Sequence, residues 1–250
     1  PIFSSSLEDC IRNRADFTMG GARYQDDYQL LFGLPNIVDS LMAIKTLVFD
    51  EKKYTLFDYL TAVRANWEGH EEMRLQALRC HGWGDGEEDS CALANRLNND
   101  LFAIFQKKVG TYGGKVHMGH LTYTEIRFWG EATLATPDGR KNGEYFAQGL
   151  TPSRLKRIPC VNDVIKSLAC LDPSTMAANS VVNIILPSDK VTLDTCEGFL
   201  RAIADSAVMC LQLNCTTKEQ LLDAQKHPEK YPDLIVRVCG FSARFTSLSP

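Results

Sequence analysis

Thiols, imidazoles, one lysine and one glycine-centred turn are the features of this chain that could do chemistry. The nine cysteines (Cys10, Cys80, Cys91, Cys160, Cys170, Cys196, Cys210, Cys215 and Cys239) are odd in number, and none stands in C-x-x-C spacing. The five histidines (His70, His81, His117, His120 and His227) do not cluster with them beyond the neighbours Cys80 and His81, so no metal-ligand set is read. Free thiols in a reducing compartment fit this usage better than a disulfide framework. On an extended stretch, positions 115, 117 and 119 share one face. Lys115 and His117 would then point together at an anionic group such as a carboxylate or sulfonate, or lie on a solvated strand edge. Asp138 and Arg140, in the turn ATPDGR, read as a charge-assisted clamp on that turn. Glu68, Glu71 and Glu72, with His70, read as a solvent-facing charged stripe on a helix. Trp67, Trp83 and Trp129 read as packing anchors. Residues 237–245, RVCGFSARF, read as a buried strand ending in a glycine-centred turn, where glycine is most often a conformational device.

The elements that must position these residues alternate in type. Residues 36–49 have apolar positions at helical spacing, with Asn36 as N-cap. Thr55 to Asp58 carries a capping signal that opens a second helix to about Leu78. A polar loop follows at 81–89, then a third helix over 90–109 and a glycine turn at 110–114. Residues 115–128 read as extended structure. A short helix over 162–171 precedes the β-branched run 180–186, which reads as a buried strand. An amphipathic helix over 193–210, a strand over 211–215, a helix capped by Thr216 and Thr217 to Lys226, and a strand over 234–238 complete the series. Helices alternating with strands argue an α/β fold.

The composition is that of an ordinary globular chain, 44% hydrophobic and 23% charged over 250 residues. A net charge of −4 without a basic stripe argues against nucleic acid as a partner. No apolar run approaches the roughly 18 residues of a membrane span. The chain begins at Pro1 without an initiator Met and stops at Pro250 soon after the glycine turn, so a fragment of a longer protein is expected.

RVCGFSARF resembles the glycyl radical motif of the pyruvate formate-lyase family, in which Arg-Val-x-Gly-[Tyr/Phe] surrounds the radical-bearing glycine. Three further stretches are similar to family segments and lie in the family's order: residues 10–24 (CIRNRADFTMGGARY), 135–153 (ATPDGRKNGEYFAQGLTPS) and 221–231 (LLDAQKHPEKY). The resemblance covers essentially the whole chain. It implies that Gly240 stores a radical. Loss of one α-hydrogen leaves a carbon radical conjugated with an amide nitrogen on one side and a carbonyl on the other, which a side chain would crowd. Apolar neighbours Val238, Phe241 and Phe245 are expected to bury it away from oxygen.

The same resemblance implies the rest of the expectation. The fold would be the C-terminal half of a ten-stranded barrel with surrounding helices: residues 1–130 the end of the barrel domain, 131–250 the glycine radical domain. Arg237, Cys239, Phe241, Asp138 and Arg140 would support the glycine loop, with the Cys239 side chain directed away from the tip. Lys115 and His117 would lie on the substrate-pocket wall. The radical would pass to an active-site cysteine that no segment here resembles, for C–X bond cleavage of a small polar substrate. The stretches GGARY and FAQGLTPS look closer to the dehydratase and lyase branches. Formate C-acetyltransferase itself, a decarboxylase, or a non-catalytic glycyl radical spare part are the alternatives. No bound cofactor is expected; a radical S-adenosylmethionine activase with its own iron–sulfur cluster would install the radical. A homodimer is expected, in the cytoplasm of an anaerobe or in a bacterial microcompartment.

Overall fold

A parallel sheet built from both halves of the chain organises the molecule. The computed structural model describes residues 2–122, 126–186, 191–206, 208–238 and 240–248. Strands β1 (Asp27–Leu31), β2 (Val116–His120), β3 (Asn179–Ile185) and β4 (Cys210–Asn214) lie in the order 1-2-3-4, all parallel. Strands β5 (Ile235–Val238) and β6 (Phe241–Arg244) form a separate antiparallel hairpin. The helices are α1 (Ile2–Ser5), α2 (Cys10–Asn13), α3 (Leu34–Ile44), α4 (Leu56–Arg64), α5 (Glu71–Arg79), α6 (Glu88–Phe105), α7 (Ile126–Ala132), α8 (Val161–Ala169), α9 (Leu193–Ala204) and α10 (Lys218–Lys226). This is the α/β architecture expected of the alternating pattern.

Local chemistry starts several of these helices. The Thr55 hydroxyl accepts from Asp58 N, and Thr217 from Gln220 N. Thr192 and Thr195 cap each other's backbone N–H groups at the start of α9. Other boundaries differ from the sequence reading. Helix α3 begins at Leu34 after Gly33, and runs on through a wider π-helical turn over Lys45–Asp50. Asn36 is thus inside the first turn, not its cap. It is buried, donates to Asp138 Oδ2 (2.7 Å) and accepts from Ala147 N (2.8 Å). The helix expected from Thr55 to Leu78 is two helices. Asn66, Trp67 and Gly69 take left-handed conformations (φ 55°, 65° and 74°) that end α4 and turn Trp67 into the core against Tyr59. Glu68 therefore sits in the turn, while Glu71 and Glu72 lie exposed on α5. The extended stretch of 115–128 ends at His120, and a helix begins at Ile126. The helix expected over 193–210 stops at Ala204, and Cys210 opens β4. Trp67 and Trp83 are buried, but Trp129 is half exposed and stacks on Phe32.

The two faces of the sheet have different chemistry. Leu31, Met118, Val182, Ile184, Leu211 and Leu213 pack with α3, α6, α8 and α9 into one apolar core. A second core joins α3, α4 and α5 through Ala43, Leu47, Tyr59, Val63 and Trp67. Alternation puts Tyr28, His117, Gly119, Asn183, Gln212 and Asn214 on the opposite face. Strands β2 and β3 pair only at Gly119–Asn179 and His120–Ser180. A Cβ on Gly119 would stand 2.3 Å from Asn179 N, so their approach requires glycine. Beyond that pair the edge of β3 is taken by residues 148–151: Leu150 N donates to Val181 O (2.7 Å), and Asn183 N to the Thr151 hydroxyl (2.9 Å).

Asp39, on α3, is buried. Its Oδ1 accepts from Trp83 N (2.7 Å) and lies 3.7 Å from Lys156 Nζ; its Oδ2 has no partner among the described residues. Burial pushes this carboxyl up to about 7, against the opposing pull of Lys156. The folded chain then holds a proton that the unfolded chain releases near pH ~4. Stability should therefore fall as pH rises from about 4 to about 7. Asp39→Asn is expected to flatten that slope in a pH series of denaturation midpoints, and a slope equal to that of the parent would refute the assignment.

Candidate functional site

Gly240 stands at the tip of the β5–β6 hairpin. The register runs Ile235–Arg244, Val236–Ala243, Arg237–Ser242 and Val238–Phe241, and Gly240 lies in the connection between the two strands. Gly240 has φ +85°, a left-handed conformation that favours glycine. Space alone does not demand it. Among the described residues beyond its chain neighbours, a Cβ at this position would meet Gln212 Nε2, at 3.9 Å.

Within this chain Gly240 is exposed, Phe241 is 76% exposed and Phe245 is half-buried, and β5 lies between β6 and the side chain of Asn214 on β4. Cys239 lies outside the described residues. Arg237 is anchored by its backbone: its N–H donates to Asn214 Oδ1 (3.0 Å) and its carbonyl accepts from Asn214 Nδ2 (3.3 Å). The Arg237 guanidinium reaches the Ser242 hydroxyl at 3.5 Å, and Arg244 pairs with Asp233 at 3.4 Å.

Sequence reasoning missed the floor on which this hairpin rests. Gln212 is 3% exposed, and its Oε1 accepts no hydrogen bond among the described residues. Asn183 lies opposite it in register and donates from Nδ2 to Gln148 Oε1 (3.1 Å) and the Thr151 hydroxyl (3.2 Å). The signal was present in the strand LQLN. Leu211 and Leu213 alternate with two amides, so a row of polar groups had to lie on the face away from the helices. Gln148 and Thr151 also line a concavity of about 580 Å³, together with Tyr145, Phe146, Pro152 and Arg154.

Asp138 and Arg140 come together, but in the loop of residues 130–146 and not on the hairpin. Arg140 is fully buried and uses all five of its N–H donors. Nε donates to the Thr136 hydroxyl, Nη1 to the carbonyls of Gly130 and Glu144, and Nη2 to those of Thr133 and Leu134. Its guanidinium also lies 4.1 Å from the centre of the Phe146 ring. Asp138 accepts from Thr136, Arg140 N and Asn36. From this clamp the chain runs through Phe146 and Ala147, the latter held by Asn36, to the residues that contact Asn183.

Lys115 and His117 share a face, as alternation requires, but meet Asp26. His117 Nε2 lies 3.0 Å from Asp26 Oδ2, and Lys115 N, not its ammonium, donates to Asp26 Oδ1. These bonds hold the Asp26 carboxyl below the usual carboxylate range. Tyr28 stacks on the His117 ring at 5.4 Å, and the Lys115 side chain is exposed. His120 lies on the helix side. Burial pulls its pKa down to about 4, and its Nε2 lies 3.0 Å from Asn98 Oδ1, which fits a neutral ring donating from Nε2. The eight described cysteines are free thiols.

Comparison with known proteins places this geometry in context. Residues 1–129 match the family model described as pyruvate formate lyase-like, and residues 146–246 match that described as glycine radical. The chain is 32% identical to trans-4-hydroxy-L-proline dehydratase from Clostridioides difficile, over all of this chain and 32% of that protein. It is 29% identical to (2S)-3-sulfopropanediol dehydratase from Klebsiella oxytoca, over 99% of this chain and 31% of that protein. The glycerol-bound structure of the B12-independent glycerol dehydratase from Clostridium butyricum superposes with a TM-score of 0.88 at 32% identity, covering 100% of this chain and 32% of that one. The chain thus spans about a third of the length of the relatives it matches.

Two substitutions separate structural from chemical roles. Arg140→Lys removes most of the five buried bonds while keeping the charge, and should lower unfolding free energy by on the order of 3 kcal/mol; a loss within experimental error in denaturant titration would refute the clamp. Gly240→Ala should leave the hairpin formed, at a cost of about 1 kcal/mol from its left-handed backbone. Amide exchange across β5 and β6 checks this, and a melted hairpin would contradict it.

Proposed function

The chain belongs to the pyruvate formate lyase-like family and carries its glycine radical domain, and on that premise we propose that it is part of a glycyl radical lyase or dehydratase. In this reading Gly240 stores the radical and relays it to a cysteine in a part of the protein outside this chain. Removal of one Gly240 hydrogen atom leaves a backbone radical. That radical takes the hydrogen atom of the cysteine thiol and restores glycine. The thiyl radical then takes a hydrogen atom from a carbon of a small polar substrate, and the substrate radical expels its leaving group from the neighbouring carbon. The cysteine returns a hydrogen atom to the product.

The observation that carries this reading is the coincidence of the glycine radical match with the position of Gly240. It lies at the tip of the β5–β6 hairpin in a left-handed conformation, inside the matched region 146–246. Dehydration supports the branch: hydroxyproline, sulfopropanediol and glycerol dehydratases are the relatives described above. A spare part confined to the glycine domain is disfavoured by the match over residues 1–129. Asp138 and Arg140 would support the glycine hairpin at a distance, through the segment 146–151. The contact of His117 with Asp26 leaves the exposed Lys115 as the member of that pair free to meet an anionic substrate group. The partners would be a radical S-adenosylmethionine activase, which takes the hydrogen atom from Gly240, and a second copy of the protein. Among the described residues no helix is long and apolar enough to cross a membrane, and a cytoplasmic or microcompartment location fits the free thiols.

The test is an electron paramagnetic resonance spectrum of the complete protein, reduced anaerobically with its activase and S-adenosylmethionine. A doublet close to the free-electron position is expected, which narrows on α-deuteration of glycine and is absent in Gly240→Ala. No signal, with an activase shown to work on another protein, would overturn the reading.

A further inference from the structure

We propose that Asn214 and Gln212 are positioning residues that dock the Gly240 hairpin onto β4 as a separable unit. Its meaning for catalysis rests on Gly240 being the radical residue, but the docking itself does not.

The backbone of β4 is spent on β3, in a five-residue parallel register from Val181–Cys210 to Ile185–Asn214. Strand β5 does not extend that sheet; it pairs only with β6. Across the gap, Asn214 supplies what a neighbouring strand would have supplied. Its amide offers one acceptor and one donor, in the spacing of a peptide group, and takes up both the N–H and the carbonyl of Arg237, at 3.0 and 3.3 Å. Two bonds through a rotatable side chain can break and re-form without disturbing a strand of the parallel sheet.

Gln212 lies two residues earlier and therefore on the same face. Among the described residues beyond its chain neighbours, Gln212 Nε2 is the atom within 4 Å of a Cβ placed on Gly240. A buried amide whose acceptor finds no partner among the described residues is unfavourable there, and an apolar side chain of equal size would avoid that cost. Packing therefore does not account for glutamine here, whereas a polar floor beneath the glycine does. Asn183, held by Gln148 and Thr151, lies beside Gln212 in register and extends the amide row towards the Arg140 clamp. Of the three amides in this row, Asn214 bonds the hairpin and Gln212 lies beside the glycine.

The complete protein, not activated, would be compared by amide hydrogen exchange with Asn214→Leu and Gln212→Met. Exchange of the β5 and β6 amides should rise about tenfold or more in Asn214→Leu, with those of β3 and β4 unchanged. Asn214→Asp, which keeps the acceptor for Arg237 N, should recover part of the protection. Should Asn214→Leu not fold, Asn214→Ser and Gln212→Met carry the same comparison. In activated protein, Gln212→Met should shorten the radical lifetime and lower kcat with KM unchanged. Hairpin exchange equal to that of the parent in every variant would overturn the proposal, as would exchange raised equally across β3 and β4. If the parent gives no radical signal, the functional reading fails while the exchange result still decides the docking.

Discussion

A guanidinium sealed from water must give each of its N–H groups a partner, and Arg140 meets that demand by gathering the backbone around itself. Four carbonyl oxygens and one hydroxyl converge on it, and the Phe146 ring closes one face. The loop from 130 to 146 has no regular ladder of its own beyond α7, so these bonds are what define its path. Asp138, held by Asn36 from α3, ties the same loop to the helical layer. The consequence is delivered downstream. Residues 147–151 leave the clamp in a fixed direction and fill the edge of β3 where β2 diverges from it.

The sheet then separates two kinds of cohesion. Towards the helices it is apolar and close-packed, with Met118, Val182, Leu168 and Leu150 excluded from solvent. Non-directional burial of this kind stabilises the scaffold without specifying where a single atom sits. On the other face the contacts are amides: Asn183, Gln212 and Asn214, joined by Gln148 and Thr151. Hydrogen bonds are directional and short-ranged, so they can place one backbone turn against a sheet. The site-bearing hairpin is attached through the second kind of interaction, on a base held by the first.

That arrangement suits a residue whose chemistry lies in its backbone. Glycine at position 240 meets one demand seen in its backbone and a second that the proposed radical role would add. Its φ of +85° is one that side chains rarely adopt, and an α-radical needs a planar centre free of a substituent. The exposure of Gly240 and Phe241 belongs to a chain that spans about a third of its relatives' length.

The sequence by itself determined the alternation of helices and strands, the caps at Thr55 and Thr217, the turn at ATPDGR and the motif around Gly240. Each of these is written in residues close together along the chain, where periodicity and short-range hydrogen bonding operate. The tertiary structure alone decided what joins residues far apart. Asn36 looked like a helix cap because asparagine before an apolar run usually is one; only the approach of Asp138 and Ala147, over a hundred positions away, made it a buried bridge. His117 looked free to meet an anion until Asp26 took its place beside it. Gln212 and Asn214 were legible as polar positions in an alternating strand, but nothing local said that a hairpin would settle on them. Long-range pairing of amides depends on where the backbone brings them, and no local pattern along a single chain encodes that distance.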